Sequence, residues 1–163
     1  MYIDPAREED LPFINEIYNQ AVGELFCTAH LEPVDMGYRR CWFGAHPRDR
    51  YPVFVAREGP LVTGWISLGS YRLGRQALDH VAEVSYYVDA NYRNRGIGMA
   101  LMTHATEAAR DRGLSVLVAI LLDRNQASIG LLEKFGFQRW GTMPGIARIG
   151  TEVADHLYFG LKL

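Results

Sequence analysis

The chain is short of cysteine, of lysine and of net charge, and each shortage excludes something. Its two cysteines, Cys27 and Cys41, lie fourteen positions apart with no C-x-x-C pair and no histidine cluster near them. That spacing excludes a zinc cluster or a disulfide framework and predicts buried free thiols. The five histidines show no H-x-x-x-H spacing, so no metal is expected. A formal charge of −2 excludes the basic surplus that a nucleic acid or an anionic membrane would require, and neither is an expected partner. Fifteen of the seventeen basic residues are arginine, the side chain suited to bidentate phosphate contacts. No segment approaches the length of a membrane span, and the opening "MYIDPAREEDLPFI" has early acids in place of a signal-like apolar stretch, which predicts a cytoplasmic protein.

Several nucleotide and hydrolase motifs are also missing. No Gly-Lys-Ser/Thr ending makes a Walker loop, and the dinucleotide fingerprint needs Gly or Ala where Leu101 stands. "GWISLG" is not a nucleophile turn, because Ser67 follows Gly64 by three positions instead of two.

What is present reads as one α/β domain over residues 1–163, with 48% hydrophobic and 22% charged residues. Residues 2–5 suit a short edge strand. "REEDLPFINEIYNQAV" repeats Ile14, Ile17, Tyr18 and Ala21 at helical spacing, and a second helical piece follows Pro33 through "VDMGYRRCWFGAH". "YPVFVARE" and "LVTGWISLGSY" form a predicted hairpin across Gly59-Pro60, and "HVAEVSYYVD" continues as strand. Its alternation puts Glu83, Ser85 and Tyr87 on one face and Val84, Tyr86 and Val88 on the other. Ile97, Leu101, Ala105 and Ala108 mark a helix ending near Gly113, and the apolar run "LSVLVAILL" is expected at the centre of the sheet. Asn125 stands as an N-cap for a short helix ending at Gly136, and "EVADHLYFGLKL" alternates again.

The most chemically specific stretch is "VDANYRNRGIGMAL". A strand ending at Val88 and feeding a glycine-containing turn into a helix leaves backbone N–H groups unpaired at the positive end of the helix dipole, a place that attracts phosphate. Gly96 and Gly98 let a pyrophosphate approach the main chain, and Arg93 and Arg95 can add charge-assisted bonds. The same residues also make a plain strand-to-helix turn with solvated arginines. Glu83, inside an apolar strand, is either a general base for an incoming amine or a carboxylate on a wet face. Trp42, Trp65, Tyr86 and Tyr87 belong to the core or to a cleft wall.

Taken together, the R-x-x-G-x-G turn of Arg93 to Gly98 and "NQASIGLLEKFGF" from Asn125 resemble the GCN5-related N-acetyltransferase superfamily, nearly end to end. "IYNQAV", "YPVFVA" and "AEVSYYVDANYRNRGIG" are similar to its phosphinothricin acetyltransferase group. The resemblance implies a mixed sheet of six to seven strands flanked by about four helices, a homodimer, and acetyl-CoA as co-substrate. It places the pyrophosphate on the loop Arg93, Asn94, Arg95, Gly96, Ile97 and Gly98, and the pantetheine arm beside Tyr87, Val88, Asn125 and Ser128. Glu83 falls at the group's general-base position. An N–H near Val88 is implied as oxyanion donor, and direct attack leaves both cysteines inert.

Three departures from the group stand out. Leu132 occupies a position where relatives carry His or Tyr near the departing sulfur. Ala29 replaces an aromatic, and "IGTEVAD" keeps only the aspartate of K-F-G-R-W-x-D, losing a cation and a ring and arguing against tight phosphinate binding. Thr28 and Asp155 remain as acceptor-site candidates. The reading is acetyl transfer to the primary amine of a small, amino-acid-like molecule; the alternatives are a larger amine or polyamine as acceptor, or an acyl-CoA-sensing module without turnover.

Overall fold

The computed structural model describes all residues 1–163, and every strand belongs to one seven-stranded sheet of order β1-β2-β3-β4-β5-β7-β6. The strands are β1 (Tyr2–Pro5), β2 (Val53–Glu58), β3 (Leu61–Ser70), β4 (Val81–Val88), β5 (Val116–Leu122), β6 (Gln138–Ile149) and β7 (Glu152–Lys162). The helices are α1 (Leu11–Gly23), α2 (Met36–Gly44), α3 (Ile97–Asp111) and α4 (Gln126–Lys134). The expected α/β class, the strand count and the helix count all hold. The expected centre of the sheet does not hold: β4, not the apolar β5, takes the middle position, because β7 and β6 add beyond β5 and displace it outward.

Helical periodicity explains the layers. The buried stripe Leu11, Ile14, Ile17, Tyr18 and Val22 of α1 packs with Val53, Val55, Val62 and Trp65 on one face of the sheet, joined by Met36, Trp42 and Phe43 of α2. On the other face Ile97, Leu101, Met102, Ala105 and Ala109 of α3 and Ile129 and Leu132 of α4 pack on Ile66, Leu68, Val84, Leu117, Leu157 and Phe159. The sequence thus builds a sheet covered on both sides.

The topology contains a single parallel pair, β4–β5, joined by α3 as crossover. Their ladder has three steps, Val81 with Val116, Ala82 with Leu117 and Glu83 with Val118, after which the two strands diverge. Glu83 therefore stands at the apex of a fork, and the outer half of β4 has no partner on that side.

Helix α3 approaches β3 closely at Gly64. A Cβ at Gly64 would lie 3.0 Å from the Tyr87 carbonyl oxygen and 3.1 Å from Ile97 Cγ2, so only glycine lets the first turn of α3 sit there. Gly64→Val should push that turn outward and lower stability by about 2 kcal/mol, seen as a thermal midpoint several degrees lower.

Both cysteines are free, as expected, but neither is fully buried. Cys27 is half-buried and Cys41 is exposed. The reason is helical phase: α2 buries Arg39 and turns Trp42 and Phe43 inward, which leaves Cys41 on the outer side.

Candidate active site at the strand fork

The turn before α3 is where the sequence is most constrained. Asn94 and Gly96 both have positive φ, 61° and 81°, a region that glycine enters without strain and asparagine tolerates. This conformation aims the first N–H groups of α3 outward. Helices α2 and α4 are capped by the side chains of Asp35 and Asn125, whereas no side chain caps α3 at Gly96. Uncapped N–H groups at the positive end of a fifteen-residue helix attract anions.

That end opens into a cleft of about 530 Å³ lined by Tyr87, Val88, Arg93, Asn94, Gly96 and Gly98 on one side and by Asn125, Ser128 and Leu131 of the α4 region on the other. Arg93 lines it while paired with Glu24 at 2.8 Å, a half-exposed ion pair that can exchange for a phosphate at little cost. Arg95 does not line it. Its guanidinium donates to the Asn91 carbonyl at 3.1 Å and stacks on Tyr92. Asn125 spends its side-chain oxygen on Ser128 N at 3.1 Å, and the Ser128 carbonyl accepts the Tyr86 hydroxyl at 3.3 Å. Burial raises the Tyr86 phenol to about 12, so it remains protonated across the physiological range.

A second cleft, of about 310 Å³, lies on the opposite face of the sheet and is lined by Tyr18, Thr28, Arg39, Glu83, Tyr87 and His156, among others. Between the diverging strands a small cavity of about 40 Å³ touches Ser85, Tyr86, Tyr87, Ile120, Ser128 and Leu132. Tyr87 lines all three spaces. The small cavity shares Tyr86 and Ser128 with the first cleft and Ser85 and Ile120 with the second, so the fork lies between the two.

The alternation read from the sequence explains this arrangement: Glu83, Ser85 and Tyr87 line the second cleft, while Tyr86 and Val88 pack toward the α3 and α4 face. The main chain is equally ordered. Asp89 N donates to Thr63 O on β3 at 3.0 Å, so by strand alternation the Val88 N–H points to the opposite edge, into the fork. Glu83 is half-buried with no hydrogen bond or ion pair to its side chain, and desolvation pushes its carboxyl above the ordinary range. Thr28 lies in the second cleft with its hydroxyl 2.7 Å from that of Tyr18. Asp155 lies outside both clefts, its carboxylate accepting Gly145 N at 2.8 Å; its neighbour His156 lines the second cleft instead. Leu132 is buried in the core beneath the fork.

Residues 14–137 match the acetyltransferase (GNAT) family. The chain belongs to that family. It is 39% identical over 162 residues, covering 99% of this chain and 94% of the relative, to an L-methionine sulfoximine/L-methionine sulfone acetyltransferase of Pseudomonas paraeruginosa. Among solved structures it is similar to a ribosomal-protein-alanine N-acetyltransferase from Brucella melitensis, with TM-score 0.93, 34% identity and full coverage of both chains. It is also similar to a GNAT phosphinothricin acetyltransferase from Sinorhizobium meliloti in complex with acetyl-CoA, with TM-score 0.93, 25% identity, and coverage of 99% of this chain and 88% of that one. The chain is therefore an acetyl-CoA-dependent N-acetyltransferase of the phosphinothricin acetyltransferase type. A groove with bare amides at one end and a fork at the other fits a co-substrate that has a diphosphate and a slender thioester arm.

Sequence reasoning missed Arg39, Tyr18, His30 and His156 in the second cleft. The one legible signal was Arg39 itself, three positions before Trp42 on the inward stripe of α2, where an arginine has no reason to be unless something meets it.

Proposed function

We propose that this acetyltransferase transfers acetyl to the primary amine of a small, amino-acid-like molecule held in the 310 Å³ cleft, by direct attack with Glu83 as general base. The observation that carries the reading is a pair of clefts on opposite faces of a fork whose apex bears a carboxylate without a protein partner. Acetyl-CoA supplies the electrophile, an acyl thioester carbonyl. The chain does the rest: amides of Gly96, Ile97 and Gly98, with Arg93 and Asn94, hold the pyrophosphate, and Val88, Tyr87, Asn125 and Ser128 flank the arm. Arg95 acts one step back, by bracing the turn through Asn91.

An amine is protonated at neutral pH and cannot attack. Glu83 accepts its proton, directly or through water, and the raised basicity conferred by burial suits that task. The Val88 N–H, already directed into the fork, is the donor for negative charge developing on the carbonyl oxygen. Thr28 contributes a hydroxyl to the acceptor cleft. The volume, near the low end for ligand sites, favours a small acceptor over a long polyamine.

A homodimer in the cytoplasm is part of this proposal. Exposed Trp140, Met143 and Ile146 on the edge strand β6 support the association, and light scattering at two protein concentrations tests it.

A panel of primary amines scored for release of free CoA thiol tests the activity. Amino-acid-like amines should be turned over and diamines should not. Thermal protection by acetyl-CoA with no thiol released by any amine would mean an acyl-CoA-sensing module instead.

A further inference from the structure

The acceptor cleft contains a cation that the protein itself does not neutralise. Arg39 is 2% exposed yet lines the cleft. Its Nε donates to Asn15 Oδ1 at 3.2 Å, and Asn15 is fixed in turn by donating to the Val34 carbonyl at 3.0 Å. The guanidinium carbon lies 4.7 Å from the ring centres of both Tyr18 and Trp42 and 5.6 Å from that of Trp65. Nη2 has no hydrogen-bond partner, and no carboxylate forms a salt bridge with Arg39.

Burying a guanidinium among three aromatic rings without a counter-ion is costly, and the rings return only part of what hydration gave. Nη groups of arginine are built to meet a planar carboxylate with two parallel bonds. Glu83 is the one acid among the residues that line the same cleft, and it forms no ion pair with Arg39. One positive and one negative side chain are thus held apart in a single small chamber.

We propose that Arg39 is the receptor for the acceptor's α-carboxylate, so that the cleft selects free α-amino acids over amines that lack that group. This deepens the acetyltransferase reading and rests on it. The amine of such a substrate is turned toward Glu83 and the fork, while its side chain lies against Trp42, Ala29 and Ile120. The cation that the C-terminal stretch lost relative to the phosphinothricin group is supplied from α2 instead. An N-terminal alanine of a protein, whose α-carboxyl is already an amide, lacks the group that Arg39 would bind.

The test compares L-methionine sulfone with its α-carboxamide and with a short peptide beginning in alanine, for the wild type, Arg39→Met and Arg39→Lys. The wild type should favour the acid over the amide by about 30- to 100-fold in kcat/KM, as expected when a site built for a charged hydrogen-bonding group is left unpaired. Arg39→Met should raise KM for the acid, bring the acid-to-amide ratio to within about threefold of unity, and leave the KM for acetyl-CoA unchanged. Arg39→Lys should fall between.

A merely structural arginine would lower thermal stability in Arg39→Met and leave the ratio as it was, which overturns the inference. So does a wild type that acetylates the carboxamide or the peptide as well as the acid; the acetyltransferase reading survives that result. If Arg39→Met does not fold, the wild-type ratio and Arg39→Lys decide. If no amine is turned over, the catalytic reading fails, and the carboxylate site is read by thermal shift: the acid, and not the amide, should raise the melting temperature, and absence of that difference overturns the inference.

Discussion

Glu83→Gln is expected to lower kcat by about 10²- to 10⁴-fold, the usual contribution of a positioned general base, while acetyl-CoA binds with wild-type affinity by calorimetry. The carboxylate stands at the last rung of the β4–β5 ladder and lines the second cleft, not the first, so its replacement should remove proton acceptance without touching the acetyl-CoA groove. Desolvation raises its pKa, and only the ionised form can accept a proton. Activity of the wild type should therefore fall as pH drops through that raised value, and the limb should be missing from the residual activity of Glu83→Gln. Stability gives an independent sign. A carboxyl with a raised pKa in the fold favours the protonated state, so ionised Glu83 subtracts stability above that pKa. Glu83→Gln should accordingly melt higher than the wild type at pH 8 and no higher at low pH. A variant with unchanged kcat, or one that loses acetyl-CoA binding together with activity, would remove Glu83 from the general-base role.

Gly98→Phe should weaken acetyl-CoA by at least about 100-fold, the loss of two charge-assisted hydrogen bonds of roughly 1.5 kcal/mol each. Even a Cβ at this position lies 2.7 Å from Leu131 Cδ1, across the cleft that the anion would enter, so a larger side chain fills the space between α3 and α4. Gly98→Ala is the graded control. Its added carbon meets only the flexible end of Leu131, which can rotate away, and affinity should fall far less. Calorimetry on folded protein checks both; equal affinity for the phenylalanine variant and the wild type would reduce the turn to a structural corner.

These two residues differ in how far the sequence alone could carry them. Gly98 sits in a contiguous motif whose proposed role follows from local geometry: a strand end, a left-handed turn and the first amides of a helix are all written within a dozen residues. Glu83 was legible as half of an alternating strand, but its place at an apex was not, because the divergence of β4 and β5 depends on a partner more than thirty residues away. Arg39 was legible only as a charge on the inward stripe of α2. Its meaning lies in what does not pair with it, and that can be read only once Asn15, Tyr18, Trp42 and Trp65 have been brought around it from α1, α2 and β3. Asp155 shows the converse. Its neighbour along the chain, His156, reaches the cleft, since successive side chains of β7 face opposite sides and the aspartate is taken up by Gly145.

By itself the chain's order of residues determined the elements other than β6, the two-faced covering of the sheet, the glycine-containing turn before α3 and the membership that those co-linear motifs imply. These follow from periodicity, capping and turn chemistry, which act over a few residues. Tertiary structure alone decided that β4 holds the centre, that its neighbour leaves it after Glu83, and that an unpaired guanidinium and an unpaired carboxylate share one chamber. Long-range pairing and desolvation arise only between segments distant in sequence.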